Sequence, residues 1–210
     1  SDTANISKPA ANVPPSETQP GYRGAVALFL SLAREYPNSE ISAQCLYRVG
    51  LIRYRRYFDL DGALQVLDSV LTLPAARQLV PAILETVAEI NVAQGKLDKA
   101  SMRYASVLSS QIAGPGQKTQ AQFRMAEIEY FQYNFDSAAA FLQRITHTLS
   151  ADESNDALLL LHFIKENQSG FAEALKEYAR AELLSRQKKY SEAIAVLTAA
   201  IQTFPDSPLV

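Results

Sequence analysis

Between Tyr22 and Phe204, apolar side chains return at the spacing of one helix face, and short breaks rich in Pro and Gly interrupt them. The pattern predicts helices over about 22–36, 40–57, 60–72, 78–94, 97–111, 118–132, 135–148, 153–166, 171–187 and 190–204. Pro37, Pro74, Gly95, Gly114-Pro115-Gly116 and Gly170 stand between them as breakers. Pro81 falls in a first turn, where the missing amide donor costs least. This is an all-α chain.

The helices repeat. Ala25, Ala63, Ala100, Ala138 and Ala193 are separated by 38, 37, 38 and 55 residues. Three positions before each stands a bulky residue (Tyr22, Leu60, Leu97, Phe135, Tyr190), and four positions after each another (Phe29, Leu67, Tyr104, Leu142, Leu197). Ala88, Ala126 and Ala181 lie twelve residues before their alanines, whereas Gly50 lies 13 before Ala63, so that repeat carries one inserted residue near Phe58-Asp59. Two antiparallel helices approach closely only where the facing side chains are small, so each alanine is expected to meet Gly or Ala on the preceding helix. The longest interval leaves about 18 extra residues, room for one more helix and a turn.

That extra helix, 153–166, has leucines wrapping most of its circumference, which predicts burial on several sides. It either pairs with helix 171–187 or marks a bend in the stack; the alternative is a helix on which a partner docks.

The order and spacing of these residues resemble the tetratricopeptide repeat family, a helix–turn–helix unit of about 34 residues. The resemblance rests on Leu84, Val87, Ala88, Gly95, Leu97, Ala100, Tyr104 and Val107 in one unit, and on Met125, Ala126, Phe135, Ala138, Leu142 and Ile145 in the next. Ala181, Tyr190, Ala193, Leu197, Ala200, Phe204 and Pro205 carry it in the last. The family's first-helix aromatic is replaced by Leu46, Leu84, Gln122 and Glu177. The resemblance implies an α-solenoid of antiparallel helix pairs forming a right-handed superhelix, with units at about 40–74, 81–114 and 119–152, the extra helix 153–166, and a unit at 171–205. Glu35-Tyr36-Pro37-Asn38-Ser39 and Thr203-Phe204-Pro205-Asp206-Ser207 look like the junctions of bacterial envelope repeat proteins, such as outer-membrane assembly lipoproteins and cell-division coordinators.

First helices of such a stack line its concave side. The resemblance therefore implies a partner-binding groove formed by Tyr47, Leu51, Tyr54 and Arg55; by Glu85, Glu89 and Val92; by Phe123, Glu127, Tyr130 and Phe131; and by Tyr178, Glu182 and Arg186. Aromatic anchors give large contact area with few torsions to freeze, and the glutamates can pair with Lys or Arg of a ligand. The family's carboxylate clamp, built from Lys and Asn, is replaced here by Tyr47, Leu51, Glu85 and Glu89. Arg48, Arg53, Arg55 and Arg56 form a basic cluster that reads as a solvated helix face or as a seat for an anionic patch.

Residues 1–20 differ in kind. Pro9, Pro14, Pro15 and Pro20 predict an extended tether before the repeat domain 21–210. Helix 22–36 has a second-helix pattern without its first-helix mate, and Pro205-Asp206-Ser207-Pro208 reads as a junction whose next helix follows beyond Val210.

Composition removes several function classes. Apolar residues make up 48% of the chain, enough for a core, and the net charge of −2 gives no basic surface for nucleic acid. No apolar run reaches the length of a transmembrane segment. Cys45 is the single cysteine and falls on a helix packing face, as a small core residue does. His147 and His162 carry no helix-spaced metal motif, and no Gly-rich phosphate loop is present. The chain is therefore expected to be a non-catalytic scaffold without cofactor or metal. It would bind a protein or peptide, in the periplasm or at the outer membrane, within a membrane-associated complex. The alternatives are a cytoplasmic adaptor and an accessory domain of an enzyme continuing beyond residue 210.

Overall fold

The computed structural model describes residues 20–148 and 155–209. Nine α-helices are found among them: α1 Pro20–Glu35, α2 Glu40–Ile52, α3 Leu60–Leu71, α4 Val80–Ala93, α5 Leu97–Ser109, α6 Pro115–Phe131, α7 Phe135–Thr148, α8 Asn155–Arg186 and α9 Tyr190–Thr203. Adjacent helices joined by short turns pack in pairs, the arrangement of a tetratricopeptide-like α-solenoid. The described residues divide between Val70 and Leu71 into two compact units. Apart from Pro20, which opens α1, the proline-rich segment expected to be a tether lies outside the described residues.

In the first unit, Ser39 caps α2. Its hydroxyl accepts from Ser42 N at 3.1 Å and donates to Tyr36 O at 2.6 Å, tying the end of α1 to the start of α2. The residue expected to be inserted near Phe58-Asp59 is absorbed by a π-helical turn, Arg53–Tyr57, at the end of α2. A π turn accommodates one more residue than an α turn and so restores the register of the next helix. Phe58 then takes a left-handed conformation, and Asp59 caps α3 by accepting from Gly62 N at 2.9 Å. Arg53 holds the same carboxylate at 3.1 Å.

Gly50 also makes room for a neighbour of Ala63 on α3. A Cβ added to Gly50 would stand 2.6 Å from Leu67 Cδ2, so the missing side chain makes room for a buried leucine one turn further along α3.

The second unit contains the same hairpin three times, at α4/α5, α6/α7 and α8/α9. Gly95, Tyr133 and Lys188 are left-handed, and their amides donate to Val92 O, Tyr130 O and Ser185 O. The next amides, of Lys96, Asn134 and Lys189, reach back to Asn91 O, Glu129 O and Leu184 O. These bonds satisfy helix-end carbonyls and reverse the chain in three residues. Ala100, Ala138 and Ala193 follow at one fixed offset and are buried, as is Ala63 in the first unit. Ala25 is only half-buried, since the described residues include no helix before α1.

One core layer joins Leu84, Ala88, Ala100, Tyr104, Val107 and Ile128. A second joins Ala126, Phe135, Ala138, Leu142 and Ile145 to Leu161, Ile164 and Leu175. Leu142 is fully enclosed, so truncating it to Ala is expected to cost about 2–5 kcal/mol.

Two expectations change, and a third acquires its geometry. Helix α6 begins at Pro115 rather than 118, because Gly114 serves as its N-cap, Pro115 is tolerated in the first turn, and Gln117 Oε1 accepts from Gly114 N at 3.2 Å. The run Gly114-Pro115-Gly116 is therefore a helix start, not a separate turn. The expected helices 153–166 and 171–187 are the two limbs of α8, which follow one another without a loop and are separated by a break at Phe171 (φ −134°, ψ 37°), beside the expected breaker Gly170. The break is sharp: Phe163 and Tyr178 touch with ring centroids 5.1 Å apart, whereas a straight helix would separate them by about 22 Å. The first limb of α8 thus folds back on the second, as the pairing reading anticipated. Nor is that limb enclosed on all sides: Ala157, Leu161 and Ile164 are buried, but Leu158 is 45% and Leu159 68% exposed.

Candidate functional site

The fold of α8 at Phe171 leaves a groove of about 390 Å³ between its two limbs and α6. Phe123, Glu127, Tyr130 and Phe131 come from α6, Leu159, Leu160 and Phe163 from the first limb of α8, and Tyr178, Glu182 and Arg186 from the second. Asp156, in the first turn of α8, stands at one end. Helical spacing explains the set: 123, 127, 130 and 131 share one face of α6, and 178, 182 and 186 one face of α8.

The groove is aromatic at its base and charged along one side. Tyr130 packs in tilted contact with Phe131 and Phe135, at 5.6 and 5.8 Å between ring centroids. Glu127 is the buried hinge of the charges: its Oε2 accepts from Arg124 and its Oε1 from Arg186. Burial alone would lower the Arg124 guanidinium, but Glu127, followed by Tyr104 and Glu89, outweighs it and raises it. Burial also holds the Glu182 carboxyl above the usual carboxylate range. Nearby Glu127 adds to that effect, while Tyr130 and Arg186 oppose it. The hydroxyls of Tyr130 and Tyr178 are both raised, by burial first and then by the Glu182 charge. Tyr130 Oη is buried and completes no well-aligned hydrogen bond.

Of the residues expected to form a partner groove, the fold brings together Phe123, Glu127, Tyr130, Phe131, Tyr178, Glu182 and Arg186. Glu85 and Glu89 lie on α4, half-buried and outside this lining. Glu85 is raised by burial and then by Glu89, with a Gln117 hydrogen bond opposing, and its Oε1 is buried without a partner. Tyr47, Leu51, Tyr54 and Arg55 belong to the first unit, where Tyr47, Leu51 and Tyr54 are half-buried and Arg55 is exposed. In the same unit, Arg56 of the basic cluster stacks over the Tyr22 ring at 4.8 Å. Cys45 is buried on α2.

Sequence reasoning missed Asp156, Leu159, Leu160 and Phe163 as groove residues. Their only signal was the excess of leucine around the extra helix.

Residues 173–207 match the family model described as Tetratricopeptide repeat. The C-terminal helix pair is thus similar to a tetratricopeptide repeat. The match spans the second limb of α8, all of α9 and the turn through Ser207. The hairpins α4/α5 and α6/α7 share the hydrogen-bond pattern of this tetratricopeptide unit, which extends the likeness to helices outside the match. No curated protein and no solved structure matches the chain. The first limb of α8 precedes the matched tetratricopeptide segment and supplies the exposed leucines of the groove.

Proposed function

We propose that this chain is a non-catalytic scaffold that holds a segment of a partner protein in the groove between α6 and the two limbs of α8. Tetratricopeptide repeats are interaction modules, which supports the general role. The observation that carries the specific reading is Leu159: a large apolar side chain 68% exposed, at the lip of an aromatic groove, on a helix inserted between repeat units. Such a residue gains little by facing water and much by being covered, since enclosing a leucine is worth about 1.5–3 kcal/mol.

A photo-reactive phenylalanine analogue placed at Leu159 in the full-length protein is expected to cross-link a discrete partner in cells. The same analogue at Met102, exposed on α5 away from the groove, serves as control. Leu159→Asp, which changes an exposed position and spares the core, is expected to abolish capture monitored from a second groove position, Leu160. Equal capture from Met102 and Leu159 would discard the reading.

We place this activity in a bacterial envelope complex on the strength of the two aromatic-Pro-Asn/Asp-Ser junctions, Tyr36–Ser39 and Phe204–Ser207. Fractionation of cells producing the full-length protein tests the placement. Recovery in the cytoplasm alone would favour a cytoplasmic adaptor, and a catalytic domain elsewhere in the gene product would make these repeats an enzyme's accessory domain.

A further inference from the structure

The charges around the groove are unevenly satisfied, and the imbalance has a direction. Inside, Glu127 has both oxygens engaged, one by Arg124 and one by Arg186. Both oxygens of Glu127 are thus taken, so this carboxylate has little left to offer a cation of a ligand. At the rim, Asp156 and Glu182 form no ion pair among the described residues, and both line the groove. Tyr130 Oη, in a side chain only 1% exposed, faces Glu182 without completing a well-aligned hydrogen bond. The lining therefore sets three carboxylates, Glu127, Asp156 and Glu182, against one guanidinium, Arg186, which Glu127 already holds, and suits a further donor-only positive group lying against apolar surface. An arginine or lysine side chain has that chemistry: it donates without accepting, and its stem packs on aromatic rings.

Resting on the scaffold reading above, we propose that the groove's occupant is a partner segment that sets an arginine or lysine beside bulky apolar anchors. The anchors cover Leu159, Phe123 and Phe163, and the cation pairs with Glu182 and Asp156. A carboxylate at the same point of the ligand meets two like charges, with Arg186 beside Glu182 already engaged by Glu127, and is disfavoured. Glu182, rather than the more deeply placed Glu127, becomes the residue that reads ligand charge.

The test measures direct binding by fluorescence anisotropy. Three helix-forming peptides each carry Phe and Leu one turn apart, followed one turn on by Arg, Gln or Glu. The protein is used as wild type, as Glu182→Gln/Asp156→Asn, and as Leu159→Asp. With the wild type, the Arg peptide is expected to bind about tenfold tighter than the Gln peptide, a difference of about 1.4 kcal/mol, and the Glu peptide weakest. The neutralised variant is expected to erase this ranking and leave the Gln peptide unchanged. Equal affinity of Arg and Gln peptides, both lost in Leu159→Asp, overturns the charge preference and leaves groove binding standing. Failure of all three peptides to bind also overturns it, and cross-linking from Leu159 in cells then judges the scaffold reading on its own.

Discussion

Arg186 donates to Glu127 Oε1 across 59 residues of chain, joining the end of α8 to the middle of α6. The carboxylate it meets is only 11% exposed and also holds Arg124, whereas Arg186 itself is 49% exposed. The two partners therefore carry unequal shares. Arg186→Ala removes a half-solvated charge and is expected to cost about 0.5–1 kcal/mol. Glu127→Ala takes from two guanidiniums the carboxylate that bonds them, one of them largely enclosed, and is expected to cost about 2–3 kcal/mol. Urea unfolding of both single variants and the double variant gives the coupling. Equal losses from the two singles would contradict this assignment of roles.

Two glycines of the first unit, Gly24 and Gly50, should respond oppositely to the same change. Gly24 lies in the exposed interior of α1, and a Cβ there meets nothing within 4 Å. Gly24→Ala is expected to stabilise by about 0.5–1 kcal/mol, because alanine loses less backbone entropy in a helix. At Gly50 the same helix gain applies, but the new methyl would stand 2.6 Å from Leu67, which is fully buried and has no room to retreat. Overpacking of about 1–3 kcal/mol outweighs the gain, so Gly50→Ala is expected to lower the melting temperature. Thermal denaturation followed by circular dichroism decides both signs.

The regular parts of this molecule were readable because they answer to one steric demand. A hairpin of helices needs a small residue at a fixed offset from its turn, and Ala63, Ala100, Ala138 and Ala193 are buried at that offset. The spacing between Gly50 and Ala63 also revealed an extra residue, although it did not show that a π turn would absorb it. The groove was half readable. Phe123, Glu127, Tyr130, Tyr178 and Glu182 follow from their places on regular repeat helices. Leu159 and Phe163 do not, because a helix with leucine on most of its faces gives no periodic signal for which face stays open. That depends on the fold at Phe171, where Gly170 marked a break but not its angle. The start of α6 was misplaced for a related reason: Pro-Gly reads as a turn until Gln117 is seen closing back on Gly114.

Lys188 is the turn residue of the last hairpin and has φ 58°, a region that costs a side-chain-bearing residue about 1–2 kcal/mol. The equivalent residue of the α4/α5 turn is Gly95, with φ 74°. Lys188→Gly is therefore expected to stabilise the C-terminal α8/α9 hairpin by up to about 1 kcal/mol, with part of the gain offset by contacts of the lysine side chain. Hydrogen exchange of the Lys189 and Ala193 amides, which close this turn, should slow in the variant; faster exchange would show that the side chain matters more than the backbone.

Glu85 should make stability depend on pH in the sense opposite to a salt-bridged carboxylate. Its carboxyl is raised in the folded protein, by burial first and then by Glu89, so folding favours the protonated form. The stability that protonation confers is fully present below the unfolded value of about 4.3 and is lost as pH rises through the higher folded value. Once ionised, the half-buried group therefore opposes folding, and the Gln117 hydrogen bond offsets only part of that cost, with Oε1 left without a donor. Glu85→Gln removes the charge and keeps the shape. The variant is expected to melt higher than the wild type at pH 7 and to converge with it as pH falls below the unfolded carboxylate value. A difference that stays constant across that range would mean that the charge of Glu85 is not what opposes folding.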